Sequence, residues 1–268
     1  MYAFNYHRPS SVGDAAALLS SNPDAKVMAG GQTLLPAMKL RLANPADLVD
    51  LVALRSELSG IRREGDRVVV GAMARHGEIA TSEVLRAAIP ALAGMAAVVG
   101  DPAVRARGTM GGSLANNDPA ADYPAAALAL GATIVTDRRE IPADDYFRGL
   151  FETALEEGEL ITAISWPIPK RAGYEKFRNP ASRYAMVGVF VAERADGEVR
   201  VTVTGAGASG VFRAEDFEAA LKADFSEGAI ANVKASPEGL NSDMHADAEY
   251  RAHLIGVMAR RAVKAALG

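Results

Sequence analysis

Apolar positions along the chain fall into two textures that meet near Arg171. Before it, short apolar runs of strand length are interleaved with segments of helical spacing. After it, residues 174–178, 185–193 and 198–204 alternate like antiparallel strands, with Asp196-Gly197 as a hairpin turn. Helical spacing then covers residues 213–223 and 246–267. Strands followed by helices predict a small α+β unit. Pro167 and Pro169 close a predicted strand over residues 160–166, and this stretch, to about Arg171, is the candidate domain boundary.

Within the first part, residues 11–20 read as a helix, with Ser11 as cap and Asp14 three residues on, a variant of the capping box. Lys26-Val27-Met28-Ala29 predicts a brief strand that runs directly into Gly30-Gly31-Gln32-Thr33. Thr33 is placed to cap a helix through Leu34, Leu35, Met38 and Leu40, with Pro36 in its first turn. Residues 47–51 predict a strand, and residues 59–63 and 67–71 a hairpin around Gly65-Asp66. One helix is expected over residues 82–99, ended by Gly100-Asp101-Pro102, and a further strand over residues 132–136.

The chemistry concentrates in residues 107–122, which lie between two apolar runs and hold paired glycines, small hydroxyl and amide residues and two carboxylates. Glycines without a Cβ let backbone N–H groups converge on an oxygen-rich ligand. The helix pattern that follows adds free N–H groups at its start. Asp118 and Asp122 repel a phosphate but accept hydrogen bonds from a polyol. A flavin dinucleotide carries both groups; a structural turn between helices uses Gly-Gly as well. Gly30-Gly31 makes a second strand–glycine–helix cradle, and with no Gly-Lys-Ser/Thr ending it is no nucleoside-triphosphate loop. Two cradles favour one shared diphosphate ligand over either turn taken alone.

Composition narrows the options. The 268 residues are 49% apolar and 23% charged, as in ordinary globular proteins, with room for one large domain or two modest ones. A net charge of −4 without a basic stripe argues against nucleic acid. With no cysteine, any cysteine-ligated iron–sulfur cluster must sit on a partner. No apolar run has membrane-span length, and residues 1–9 lack the pattern of a secretory signal, so a cytoplasmic protein is expected.

Other motifs are weighed and set aside. Gly205-Ala206-Gly207-Ala208-Ser209-Gly210 matches a dinucleotide fingerprint, but its upstream strand reads as a hairpin partner and no convincing parallel strand follows. His245, Glu249 and His253 share a helical face amid Asp247, Tyr250 and Arg251, the makeup of a solvated helix start rather than a metal site. His7 and His76 are isolated, so no nucleophilic triad is proposed. Tyr184 opens a strand, where an aromatic usually packs in the core.

Residues 27–36 (Val-Met-Ala-Gly-Gly-Gln-Thr-Leu-Leu-Pro), with Gly108-Thr109-Met110-Gly111-Gly112-Ser113 through Asp118-Pro119-Ala120-Ala121-Asp122, resemble the FAD-binding medium subunit of molybdenum hydroxylases. That family includes the flavoprotein subunit of aerobic carbon monoxide dehydrogenase and the flavin domain of xanthine dehydrogenase. Tyr174-Glu175-Lys176-Phe177-Arg178, Ala181-Ser182-Arg183-Tyr184, His245 and residues 248–254 look like its C-terminal domain, so the likeness spans nearly the whole chain.

The resemblance implies an α+β fold. A two-lobed FAD-binding domain of the vanillyl-alcohol-oxidase (PCMH) type would occupy residues 1–171, with lobes of about 1–55 and 56–171. A C-terminal domain, 172–268, would carry a three-stranded antiparallel sheet and helices. Ala29, Gly30, Gly31, Gln32 and Thr33, with Thr109, Met110, Gly111, Gly112 and Ser113, would hold the diphosphate of FAD, and Gly108 would bind the cofactor beside them. Asp122 would bind flavin-side hydroxyls, Gly100, Asn116 and Ile161 would lie near the cofactor, and Tyr184 would cover the flavin ring. Gln32-Thr33 replaces a frequent His-Ser, which preserves backbone donors and changes side-chain contacts. Expected partners are a small subunit with [2Fe-2S] clusters and a large molybdopterin subunit, as a dimer of heterotrimers. The role implied is electron transfer through FAD to an external acceptor, with no general acid or base on this chain. A self-contained FAD-dependent oxidase or reductase and a flavin-free assembly subunit are the competing classes.

Overall fold

Three β-sheets, each with its own connectivity, organise the chain; the computed structural model describes residues 1–268. The first sheet is parallel, with Asp47–Asp50 between Asn5–His7 and Lys26–Met28. Parallel neighbours need a crossover, and the helix Val12–Ser21 supplies one. Ser11 caps it as expected, accepting from Asp14 N–H at 3.0 Å. Ala15, Leu19, Val49, Leu51 and Leu54 make this lobe's core.

The second sheet runs Ile61–Glu64, Arg67–Gly71, Ile161–Pro167, Thr133–Thr136, Glu140–Pro142, antiparallel throughout. The hairpin at Gly65 falls where expected, Gly65 taking φ +61°. The single helix predicted over residues 82–99 is two, Glu83–Ala88 and Pro90–Ala97. Pro90 has no N–H to continue the ladder and disfavours helical backbone at Ile89, so the second helix begins with proline in its first turn. The elements between Glu140 and Thr153, including the small ladder of Phe147–Gly149 with Glu152–Thr153, are too short to show periodicity.

The third sheet has the order Arg171–Arg178, Ala185–Glu193, Val199–Thr204, Phe212–Arg213. The expected three strands are present, and the two-residue Phe212–Arg213 adds a fourth that no pattern of such length reveals. Its central strands are buried on both faces. Val187, Val189 and Val191 face the helices Glu215–Ala223 and Ala248–Leu267, whereas Phe190 and Ala192 join the core that holds Tyr123–Leu130. That helix is buried at all eight positions, which explains why its sequence is apolar all round. Thr202 Oγ1 donates to Ala125 O at 2.7 Å and Arg200 donates to Leu128 O at 2.8 Å, so the third sheet is bonded to the chain just after Asp122.

Candidate functional site

A cleft of about 1060 Å³ is at the upper end of the range for small-molecule sites. It is lined by the strand Lys26–Met28 with the loop after it, by much of residues 99–123 and by Ser182, Tyr184 and Gly205 at strand ends of the third sheet. The first glycine motif forms one wall. The strand Lys26–Met28 delivers the chain into Ala29-Gly30-Gly31-Gln32-Thr33, where Gly31 takes φ +71°, a conformation glycine adopts without a Cβ penalty. From Ala29 to Thr33 no backbone N–H donates to a protein acceptor. Thr33 precedes the helix Leu34–Lys39, but its hydroxyl makes no cap bond because its own backbone is already helical, with φ −107° and ψ −54°. The expected cap is therefore absent, and the Thr33 side chain is left to the cleft.

The second motif forms the facing wall by a different construction. Residues 110–116, read as a glycine turn before a helix, are themselves a helix, Met110–Asn116. Thr109 caps it, its Oγ1 accepting from Gly112 N–H at 3.2 Å. Met110 N–H donates to Ala74 O at 3.0 Å and Gly111 N–H to Ala72 O at 2.9 Å. The paired glycines thus dock a helix onto the loop after Arg67–Gly71, and only Thr109 N–H stays without a protein acceptor.

The two walls touch. A Cβ added at Gly30 would lie 2.8 Å from Gly108 Cα, and one at Gly112 would meet Ala29 Cβ at 3.9 Å. Gly31 and Gly112, far apart in sequence, line the same cleft.

Ala29, Gly30, Gly31, Gln32, Thr33, Gly100, Gly108, Thr109, Gly112, Ser113, Asn116, Asp122 and Tyr184 all line this cleft. Met110, Gly111 and Ile161 do not. Met110 is wholly buried in the second-lobe core, Gly111 rests on Ala72, and Ile161 sits inside the central strand opposite Thr136. A bulge between Ile161 and Ala163 shifts the register there, so Ile161 shares the core with Ile134 and Ile164.

Asp122 is held by partners the sequence does not reveal. Lys176 donates to both its oxygens, at 2.8 and 3.0 Å, and Tyr174 Oη donates to Oδ1. Burial raises the Asp122 pKa, opposed by the Lys176 ammonium. Oδ2 keeps acceptor capacity for a hydroxyl in the cleft. His76 also lines the cleft. Its Nδ1 lies 3.1 Å from Tyr123 Oη, and its Nε2 abuts Gly108. Burial, aided by the Arg105 guanidinium, lowers its pKa to about 4, so it is a neutral packing group near pH 7. Arg105 donates to Val99 O and Gly100 O, fixing the loop where Gly100 takes φ +50°. Arg251 donates to Met186 O, Gly205 O and Asp243, closing the far end. The signals for His76 and Lys176 are non-local, since their partners lie 47 and 54 residues away.

Of the motifs set aside, Tyr184, His76 and Gly205 line the cleft. The Gly205–Gly210 segment is a loop against Leu240, with a short strand rather than a helix directly after it. No cluster of three or more His, Asp or Glu side chains is arranged to hold a metal ion. No helix is long and apolar enough to cross a membrane.

Residues 2–169 match the family described as the FAD binding domain in molybdopterin dehydrogenase. The chain belongs to this family. Among relatives of this FAD-binding subunit, the carbon monoxide dehydrogenase medium chain of Hydrogenophaga pseudoflava is 36% identical, over 98% of this chain and 96% of its own. The nicotine 6-hydroxylase medium subunit of Paenarthrobacter nicotinovorans is 36% identical, over 97% and 96%. A chain of reconstituted carbon monoxide dehydrogenase from Oligotropha carboxidovorans superposes with a TM-score of 0.88 at 36% identity, covering 99% of this chain and 98% of that one. Such chains are FAD-binding medium subunits of molybdenum hydroxylase-type oxidoreductases.

The residues present fit FAD. The unpaired N–H groups of residues 29–33 suit a diphosphate, with Lys26 on the same wall, and the polar run Ser113, Asn116, Asp118 suits a polyol.

Proposed function

We propose that this chain is the electron-transfer flavoprotein of a molybdenum hydroxylase complex. Electrons would enter from [2Fe-2S] clusters on a small partner subunit, after oxidation of substrate on a large molybdopterin subunit, and leave to an external acceptor. The observation that carries this reading is the single cleft made by two interlocked glycine motifs, one of them presenting a row of unpaired N–H groups. Absence of cysteine in the chain fits a division of labour in which the clusters lie elsewhere.

Bound FAD would supply the redox chemistry, and the chain would position it and keep water away. Ala29 to Thr33 would hold the diphosphate from one side while Thr109, Gly112 and Ser113 close the other. Asn116 and Asp122 would orient the polyol. Gly100 would lie near the cofactor, and Tyr184 would cover the ring. Met110, Gly111 and Ile161 would support these contacts from behind. We further propose the division into residues 1–171 and 172–268, a cytoplasmic location, and a dimer of heterotrimers.

The visible spectrum and metal content of the natively purified complex test the reading. A flavin spectrum with iron and molybdenum in stoichiometric amounts is expected. Flavin with neither metal would point to a self-contained oxidase or reductase, and a colourless folded preparation that ignores added FAD would point to an assembly subunit.

A further inference from the structure

One exposed aromatic at the cleft mouth has no packing reason to be where it is. Phe151 is 60% exposed and takes φ +57°, a left-handed conformation that is a rare and costly state for a bulky residue. Its neighbour Leu150 is also exposed, but only Phe151 lines the cleft. The position is built rather than loose. Asn117, 3% exposed and itself at φ +42°, donates through Nδ2 to Gly149 O at 2.9 Å and to Glu152 O at 2.8 Å. Its carbonyl accepts from Phe151 N–H at 3.1 Å. A buried amide and two left-handed non-glycine residues therefore hold one phenyl ring out over the cleft.

Its location along the cleft says what the ring meets. Asn117 follows the C-terminal end of the helix Met110–Asn116, whose first turn faces the unpaired N–H groups at Ala29. Seven residues of helix span about 10 Å. A five-carbon polyol bridges a span of that order, and Ser113 and Asn116, on the helix between the two ends, are polar and line the cleft. A ring joined to the diphosphate through that polyol arrives at Phe151.

Resting on the FAD reading above, we propose that Phe151 is a ring-contacting positioning residue: it packs against the isoalloxazine of bound FAD and shields it at the cleft mouth, with Asn117 as its bracket. Nothing else in the geometry favours a partner protein over the ring, because the phenyl is turned to the cleft rather than to a flat outer face.

The test compares ligands with and without the isoalloxazine. Full-length chain stripped of flavin is titrated with FAD, followed by flavin fluorescence, and with ADP-ribose, followed by calorimetry. Phe151→Ala is expected to weaken FAD about tenfold, leave ADP-ribose unchanged and keep the near-ultraviolet dichroism of the fold; Phe151→Trp is expected to restore FAD affinity. Unchanged affinity for both ligands overturns the assignment. Equal weakening of both overturns it too, since Phe151 would then act through the fold. Normal FAD binding with failed assembly into the complex would mark a docking residue instead. Wild-type chain that binds neither ligand would sink the FAD reading itself, a result distinct from the others.

Discussion

The two glycine motifs look alike in sequence and use their backbone in opposite ways. Between Ala29 and Thr33 the N–H groups point at nothing in the protein, whereas Met110, Gly111 and Gly112 donate theirs to Ala74, Ala72 and Thr109. Glycine is needed in the first motif for a left-handed turn that exposes donors, and at Gly111 for close approach of a helix to a neighbouring strand end. A Gly-Gly pair alone does not distinguish a ligand cradle from a packing joint; the destination of the N–H groups does.

The strongest way to break this contrast is Gly111→Asp. A Cβ there would lie 2.6 Å from Ala72 Cβ and 2.8 Å from Ala72 O, and the carboxylate would enter the second-lobe core. The expected loss is at least about 3 kcal/mol of stability, from overpacking and an unpaired buried charge. The damage is to the fold, not to a diphosphate contact as the glycine pattern first implied. It should show as insoluble or low-melting protein with or without added FAD. A variant that melts like wild type and lacks only flavin would place Gly111 in the cradle after all.

His76 braces the second motif and makes it sensitive to acid. Its pKa is lowered in the fold to about 4 from an ordinary 6.5, so the unfolded chain binds the extra proton between those values. Stability from this group is complete above pH 6.5 and falls as pH drops toward 4, by about 3 kcal/mol. Denaturant melts across that window should show the slope, and His76→Gln should flatten it. An unchanged slope would mean that His76 does not titrate there.

A smaller and more selective effect is expected at the first motif. Gly31→Ala forces a side chain into φ +71° with its Cβ 2.8 Å from Leu35 Cδ1, costing roughly 1 kcal/mol of stability. Because the N–H row would be re-aimed, FAD affinity should fall by more than tenfold while the melting temperature moves by a few degrees. Equal affinity for FAD in both proteins would show that these donors do not hold the cofactor.

Much of this was readable along the chain, for identifiable reasons. Ser11, Gly65, Asp196-Gly197 and the alternation of residues 185–193 are local signals, and each sits in the expected element. The helix Met110–Asn116 escaped because Gly-Gly-Ser has low helix propensity and its support is tertiary: the Thr109 cap, the bonds to Ala72 and Ala74, and the burial of Met110 and Leu114. Pro90 splits a helix whose apolar spacing runs on without interruption. The bonds of Lys176 and Tyr174 to Asp122, and of His76 to Tyr123, join residues that no short window contains.

The strand Val199–Thr204 carries a constraint on how such a protein can change over time. Thr202 and Arg200 reach across to the carbonyls of Ala125 and Leu128, in the helix that begins directly after the cleft residue Asp122. Exchanging the C-terminal part for an unrelated sequence would remove those two side-chain donors and uncover a helix with no hydrophilic side. The two halves are therefore obliged to be inherited as a pair, and a chimaera cut at residue 171 should survive only if the incoming half brings matching donors of its own.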